Sequence, residues 1–166
     1  WLALPERLIP VRAAGIKNTR VMVADLAAGP PGVEAALLDR PDAAWLAGYG
    51  RDVPPEVLTA VVDGAVVFAT VADAAVGRGA VTTAPDGVRW LGISAVHVAE
   101  EHRRRGHARA LFQALSTWGE GHGATRVYVQ VLTGNTPAVM LYSALGFGLH
   151  HHHRYIDARD LAARTL

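Results

Sequence analysis

The 166 residues carry 16 basic and 15 acidic side chains, a net charge of +1, and 51% of them are hydrophobic. That is a globular chain of one ordinary domain, long enough to bury a core, and neither a disordered segment nor a dedicated polycation for nucleic acid or a membrane surface. No cysteine occurs, which removes disulfides, thiolate nucleophiles and cysteine metal sites and fits a reducing, cytoplasmic setting.

The chain starts at Trp1 rather than Met, with Glu6 and Arg7 near its start and no signal-peptide pattern, so it reads as part of a longer polypeptide. Residues 1–20, with Pro5, Pro10 and Gly15, show no sustained period. They read as an irregular lead or the edge of a missing N-terminal region, ahead of a domain over 21–166. Val21–Leu26 reads as a strand and Gly29-Pro30-Pro31-Gly32 as a turn. Val33–Tyr49 has apolar residues at helical spacing broken by Pro41, which predicts two short helices. Pro54 and Pro55 open another over Glu56–Val62. Ala65–Val71 and Ala75–Thr82 are β-rich runs around Ala72-Asp73-Ala74, a hairpin signal.

After the turn Pro85-Asp86-Gly87, Val88–Val98 predicts a long strand. Gly106–Gly119 predicts a helix with Ala108, Leu111, Phe112, Leu115 and Trp118 on one face, ended by Gly121–Gly123. Arg126–Leu132 is a strand. Pro137–Leu145 is a short helix capped by Asn135 or Thr136 and closed by Gly146. Gly148–Ile156 is a last strand and Asp157–Thr165 a terminal helix. The apolar run Ala65–Ala72 is too short to span a bilayer. The order of elements implies an α+β fold with a mixed sheet.

Two stretches carry chemistry. The apolar strand ending at Val98 runs through a polar turn into Arg103-x-x-Gly106-x-Ala108, and a helix follows at once. Gly106 reaches backbone angles closed to other residues, and Ala108 leaves the first turn uncovered. The N–H groups of Arg104 to Arg109, His107 among them, can converge on one anion, aided by the helix dipole. Arg103, Arg104, Arg105 and Arg109 add charge suited to phosphates. The plainer reading of this turn alone is a solvated basic helix start. In the second stretch Asn135 sits at a helix start, and Tyr142 lies two turns along on roughly the same face. A phenol there can protonate a leaving group; the plainer reading makes Asn135 a cap and Tyr142 a core aromatic.

Arg103-x-x-Gly106-x-Ala108 after Val96-x-Val98, followed by Asn135-x-x-Ala138-x-x-Leu141-Tyr142-x-x-Leu145-Gly146-Phe147, resembles the GNAT superfamily of acyl-CoA-dependent N-acyltransferases. The resemblance implies a mixed, mostly antiparallel, twisted sheet flanked by helices, with splayed central strands. It implies that the backbone of Val96, His97 and Val98 pairs with the pantetheine arm of acetyl-CoA, and that the N–H groups from Arg104 to Arg109 hold the pyrophosphate. Asn135 then contacts the cofactor's pantetheine or adenosine end, and Tyr142 protonates the departing CoA thiolate. The amine attacks the thioester directly, so no enzyme nucleophile is required.

The general base is where the chain departs from that pattern. Some relatives carry a glutamate eleven residues before the position of Arg103, where this chain has Gly92. Others carry one five residues before the asparagine, where it has Gln130. The candidates left are His97, or water chains anchored by Ser94 or Gln130. Strict alternation puts His97 on the face opposite Gly92 and Ser94, where it is equally a packing histidine.

The run His150–His153 would put His150 and His152 on one strand face and His151 and His153 on the other. With no acidic or cysteine partner nearby, it reads as a polar strand near the acceptor pocket rather than a metal site. Trp45 and Tyr49 share a helix face and read as core; Arg51 follows them. The expected function is transfer of an acetyl group from acetyl-CoA to a primary amine (a small molecule, a protein N-terminus or a lysine) in a ternary complex, with a strand N–H near Val98 helping to stabilise the acyl oxygen. No metal, nucleic acid or membrane partner is expected, and the assembly leaves room for an N-terminal domain or a homodimer. The alternatives are a non-catalytic acetyl-CoA-binding regulatory domain and a nucleic-acid binder using Arg103–Arg105, which the near-zero net charge opposes.

Overall fold

Alternation and turn residues determine most of the strands. The computed structural model describes residues 2–5, 17–27 and 34–156. In chain order these form β1 (Leu2–Pro5), β2 (Lys17–Asp25), β3 (Ala36–Leu38), α1 (Ala43–Tyr49), α2 (Pro55–Thr59), β4 (Ala65–Val71), β5 (Ala75–Thr83) and β6 (Arg89–Val98). A 3-10 turn (Glu100–His102) then leads to α3 (His107–Gly121), β7 (Arg126–Leu132), α4 (Thr136–Ala144) and β8 (Gly148–Ile156). The fold is mixed α/β, and the strand pairings β1–β8, β2–β8, β3–β4, β4–β5 and β5–β6 are antiparallel. The expected turn at 29–32 and terminal helix at 157–165 lie outside the described residues.

The chain divides into two compact units, residues 25–128 and residues 1–24 with 129–166. In the unit 25–128 the strands run β6–β5–β4–β3. The hairpin of β4 and β5 pairs Ala65 with Val81 through Val71 with Ala75. One face of β5 carries α3: a Cβ at Gly79 would come within 3.1 Å of Leu115, and one at Gly77 within 3.5 Å, so these glycines let the helix lie close. The other face carries α1 and α2, whose Trp45 and Leu58 bury against Phe68 and Val76. Asp42 caps α1 by accepting from the Trp45 N–H at 2.7 Å, and Gly50, at φ +65°, closes it. Trp45 is core, as its spacing implied: its indole N–H reaches the carbonyls of Ala69 (3.1 Å) and Gly77 (3.2 Å).

Three sequence expectations change in the elements. Ala36–Leu38, read as the first of two helices, is a short strand paired with Phe68–Thr70. Its apolar residues fit either period over so short a run, and pairing with β4 decides it. The lead over 1–20 is not irregular throughout: Leu2–Pro5 pairs with β8, and β2 already begins at Lys17. The helix expected over Glu56–Val62 ends at Thr59, because Ala60 is extended.

In the unit made of residues 1–24 and 129–166 the order is β1–β8–β2–β7. Strand β8 pairs with β2 from Lys17–Tyr155 to Val23–Gly148, with a register shift between Val21 and Met22. Ile156, Val129 and Val131 are buried there, with Phe147 just beyond α4.

Candidate active site

The turn before α3 is built from backbone rather than side chains. Arg104 (φ +63°) and Gly106 (φ +86°) are both left-handed, the kind of backbone from which anion-binding concavities of N–H groups are built. For glycine this is free; for Arg104 it is a strained conformation of the kind that collects at functional sites. The first intrahelical bond of α3 runs from Ala110 to Gly106 (3.0 Å), and no side chain caps the helix end. The N–H groups of His107, Ala108 and Arg109 precede that bond and have no helical carbonyl to reach. A Cβ on Gly106 would meet nothing within 4 Å, so the approach to these groups is open. Nδ1 of His107 is buried with no hydrogen-bond partner among the described residues. These features fit an oxyanion-rich group such as the pyrophosphate of acetyl-CoA.

The arginines around the turn are unequal. Arg103, Arg104, Arg105 and Arg109 are all exposed. Arg103 points back along the chain, its Nε donating to the Val98 carbonyl (3.4 Å) and its Nη1 3.7 Å from Glu100. It fastens the turn to the end of β6 as much as it offers charge.

The face of His97 is corrected by the structure. Val76 pairs with His97 and Arg78 with Ser94, so one residue of β5, Gly77, is matched by two of β6, Ala95 and Val96. The extra residue forms a bulge at Ala95, whose φ is +52°. The bulge turns β6 over. His97 therefore shares a face with Gly92 and Ser94 instead of opposing them, and both His97 and Ser94 are exposed. Val98 pairs with Ala75 at the strand's end, and Val96 approaches the Gly77 position from the α3 side.

Asn135 and Tyr142 belong to the other unit. Asn135 does cap α4, its Oδ1 accepting from the Ala138 N–H at 3.3 Å. Tyr142 is buried, its ring 6.0 Å from that of Phe147, and burial raises its pKa above the ordinary 10. Such a phenol keeps its proton through neutral pH, as a proton donor must. Gln130 is exposed between buried Val129 and Val131.

The histidine run alternates only in part: His151 and His153 share a side, their rings 6.2 Å apart, and His150 departs. The register shift in β8 falls at His150, and its Nδ1 comes 2.7 Å from Nδ1 of His151. His153 is buried; its Nε2 has no hydrogen-bond partner among the described residues, and burial lowers its pKa below the ordinary 6.5. Among the described residues no group of three or more His, Asp or Glu is placed to hold a metal. Sequence reasoning also missed a cleft of about 720 Å³ beside α1, lined by Glu34, Asp42, Asp73 and Trp45. It missed the setting of Arg78 and Tyr128 as well; neither sits in a recognisable motif.

Residues 1–156 match the family model described as "Probable histone acetyltransferase Rv0428c C-terminal". The chain belongs to this family. The domain is 45% identical over 168 residues to "Probable histone acetyltransferase Rv0428c" of Mycobacterium tuberculosis, covering 99% of this chain and 55% of that protein. It thus spans about half the length of that relative. A shorter match, 37% identical over 73 residues, is to an N-alpha-acetyltransferase of Sulfurisphaera tokodaii, covering 41% of this chain and 42% of the relative. In fold the domain resembles a GNAT-family protein from Novosphingobium aromaticivorans (TM-score 0.63, 23% identity, 92% of this chain and 70% of that one). It also resembles a GCN5-related N-acetyltransferase from Kribbella flavida (TM-score 0.57, 19% identity, 85% and 58%). No helix among the domain's described residues is long and apolar enough to cross a membrane.

Proposed function

We propose that the domain moves an acetyl group from acetyl-CoA to a primary amine by direct attack in a ternary complex. The observation that carries this is the turn into α3, where Arg104 and Gly106 aim unpaired N–H groups at open space. Acetyl-CoA, when bound, supplies an activated acyl carbon on a thiol leaving group. The N–H groups of Arg104 to Arg109 hold its pyrophosphate, with the exposed arginines adding long-range attraction. Asn135 contacts the cofactor, and the backbone of Val96–Val98 aligns its arm.

Tyr142 gives its proton to the departing sulfur and regains one from the nitrogen that has attacked; burial keeps the phenol protonated until then. The net change is an ammonium and a thioester becoming an amide, a thiol and one proton. The acceptor is a primary amine of a small molecule, a protein N-terminus or a lysine. The names of the two relatives, a histone acetyltransferase and an N-alpha-acetyltransferase, support the protein amines first.

The deciding experiment is a CoA-release assay with acetyl-CoA against a panel of small amines, lysine peptides and peptides with free N-termini. Release with at least one acceptor, lost on omitting it, is expected. Acetyl-CoA binding with no release across the panel overturns the reading in favour of a regulatory domain.

A further inference from the structure

The α1/α2 face of β5 and β6 holds a polar cluster that the motifs do not touch. A Cβ built on Gly92 would stand 2.6 Å from the Tyr128 hydroxyl oxygen and 2.7 Å from its Cζ. The hydroxyl end of the phenol therefore rests directly on the backbone of β6, and glycine is the residue that permits it. Trp90 meets the ring edge to face at 6.4 Å, which restrains the ring from one side.

Two residues beyond Gly92, Ser94 places its Oγ 3.4 Å from Nη1 of Arg78. Arg78 is held at three points, since Nε donates to the Leu58 carbonyl (2.6 Å) and Nη2 to that of Ala60 (3.1 Å). Burial draws its pKa down, and the nearby Tyr128 opposes that shift.

The strands under this face supply no carboxylate to accept a proton, since β4, β5 and β6 contain neither Asp nor Glu; the acid nearest in sequence among the covering helices is Glu56 in the first turn of α2. With the pyrophosphate at Arg104–Arg109 and the arm along Val98 to Val96, the thioester falls next to Ser94. That is about 7 Å along the strand from Gly92. His97 lies farther back, beside the arm. A phenol hydroxyl both accepts and donates a hydrogen bond, so it can pass a proton from an ammonium group on to water while staying neutral.

We propose that Tyr128 is a catalytic residue: its hydroxyl oxygen receives a proton from the acceptor's ammonium group while its own proton passes to water. Tyr128 ends neutral, one proton reaches solvent, and the free amine is left to attack. Arg78 ties Ser94 to the end of α2. This inference rests on the acetyl-transfer reading above.

The test is CoA release by the full chain with two probes, a peptide presenting a lysine side chain and one presenting a free α-amino group, from pH 6.5 to 9.5. Tyr128→Phe is expected to lower kcat/KM about 100-fold at pH 7. With the α-amino probe, whose pKa is about 8, the deficit shrinks to less than about fivefold at pH 9.5, where the amine arrives free. Tyr128→His, which restores a proton acceptor, recovers at least about tenfold over Phe at pH 7. The acetyl-CoA Kd and melting midpoint serve as folding controls; if the Phe variant fails them, a Tyr128→His kcat/KM of at least about a tenth of wild type at pH 7 supports the proposal and a loss of about 100-fold overturns it. A variant with the wild-type rate and profile, or one with the same loss at every pH, overturns the proposal. A wild-type chain that binds acetyl-CoA but acetylates neither probe overturns the transfer reading and this one with it.

Discussion

Replacing Gly106 by alanine separates a backbone-built anion site from an ordinary basic helix start. Gly106 holds φ +86° and ψ −3° at the N-cap of α3. An L residue there pays about 1–2 kcal/mol in backbone strain. A stiffer unfolded chain offsets about 0.5 kcal/mol of that. The added methyl meets no atom within 4 Å, so no packing clash enters. The net loss is about 1 kcal/mol, a fall of about 2–4 °C in melting midpoint for a chain of this length. The same methyl stands where the phosphates approach, and strain relieved by rotating the 106–107 peptide turns an N–H away. Acetyl-CoA affinity should fall at least about tenfold, or about 1.4 kcal/mol. Gly121→Ala is the control: it lies inside the last turn of α3 with open space around it, and should raise stability by about 0.5 kcal/mol and leave the Kd unchanged. Thermal melts and calorimetric titration with acetyl-CoA read both quantities. A Gly106→Ala protein that melts no lower than wild type, or binds acetyl-CoA as tightly, refutes the reasoning.

Tyr142→Phe should cut kcat about 100-fold or more and leave the acetyl-CoA Kd within about twofold; an unchanged kcat removes Tyr142 from the mechanism. Trp45→Phe deletes the donor shared by the Ala69 and Gly77 carbonyls and leaves a void in the core, at about 2–3 kcal/mol by chemical denaturation; a loss under about 1 kcal/mol would mean those bonds are replaced by water. His153 is held neutral by burial, with its folded pKa below the ordinary 6.5. Below about pH 6.5 the unfolded chain takes a proton that the folded chain refuses, so stability falls with pH there. His153→Phe should flatten the melting midpoint between pH 7 and 5, and an equally steep fall in that variant places the titrating group elsewhere.

What the sequence reveals follows the range of the forces involved. Strands β7 and β8 match their expected bounds, because alternation and flanking glycines are written within a few residues. The helix α3 is equally clear, since Leu111, Phe112 and Leu115 recur at helical spacing and are buried. The cap by Asn135 and the left-handed Gly106 are local chemistry and were both legible. Ala36–Leu38 was not, because only pairing with β4 makes three apolar residues a strand. Tyr128 over Gly92 was invisible for the same reason: the contact joins residues 36 positions apart and leaves no period in either segment.

The bulge at Ala95 is the most consequential thing the sequence concealed. Under strict alternation His97 would follow Leu91 and Ile93 onto the face that packs against α3, where Leu91 already touches the Gly119 position. An imidazole there would be stripped of water with no partner, at a cost of the order of 1–3 kcal/mol. Placing Ala95 at φ +52° costs about 1–2 kcal/mol. The two costs are comparable, so desolvation alone can offset the strain. The bulge then sends Val96 toward α3 and His97 to the exposed side with Ser94. It gathers the polar groups of β6 on one face while the turn before α3 keeps its free backbone N–H groups at the strand's end. The proposed donor half thus depends on backbone angles that few substitutions reproduce, and the proposed acceptor half on side chains that can be exchanged one at a time.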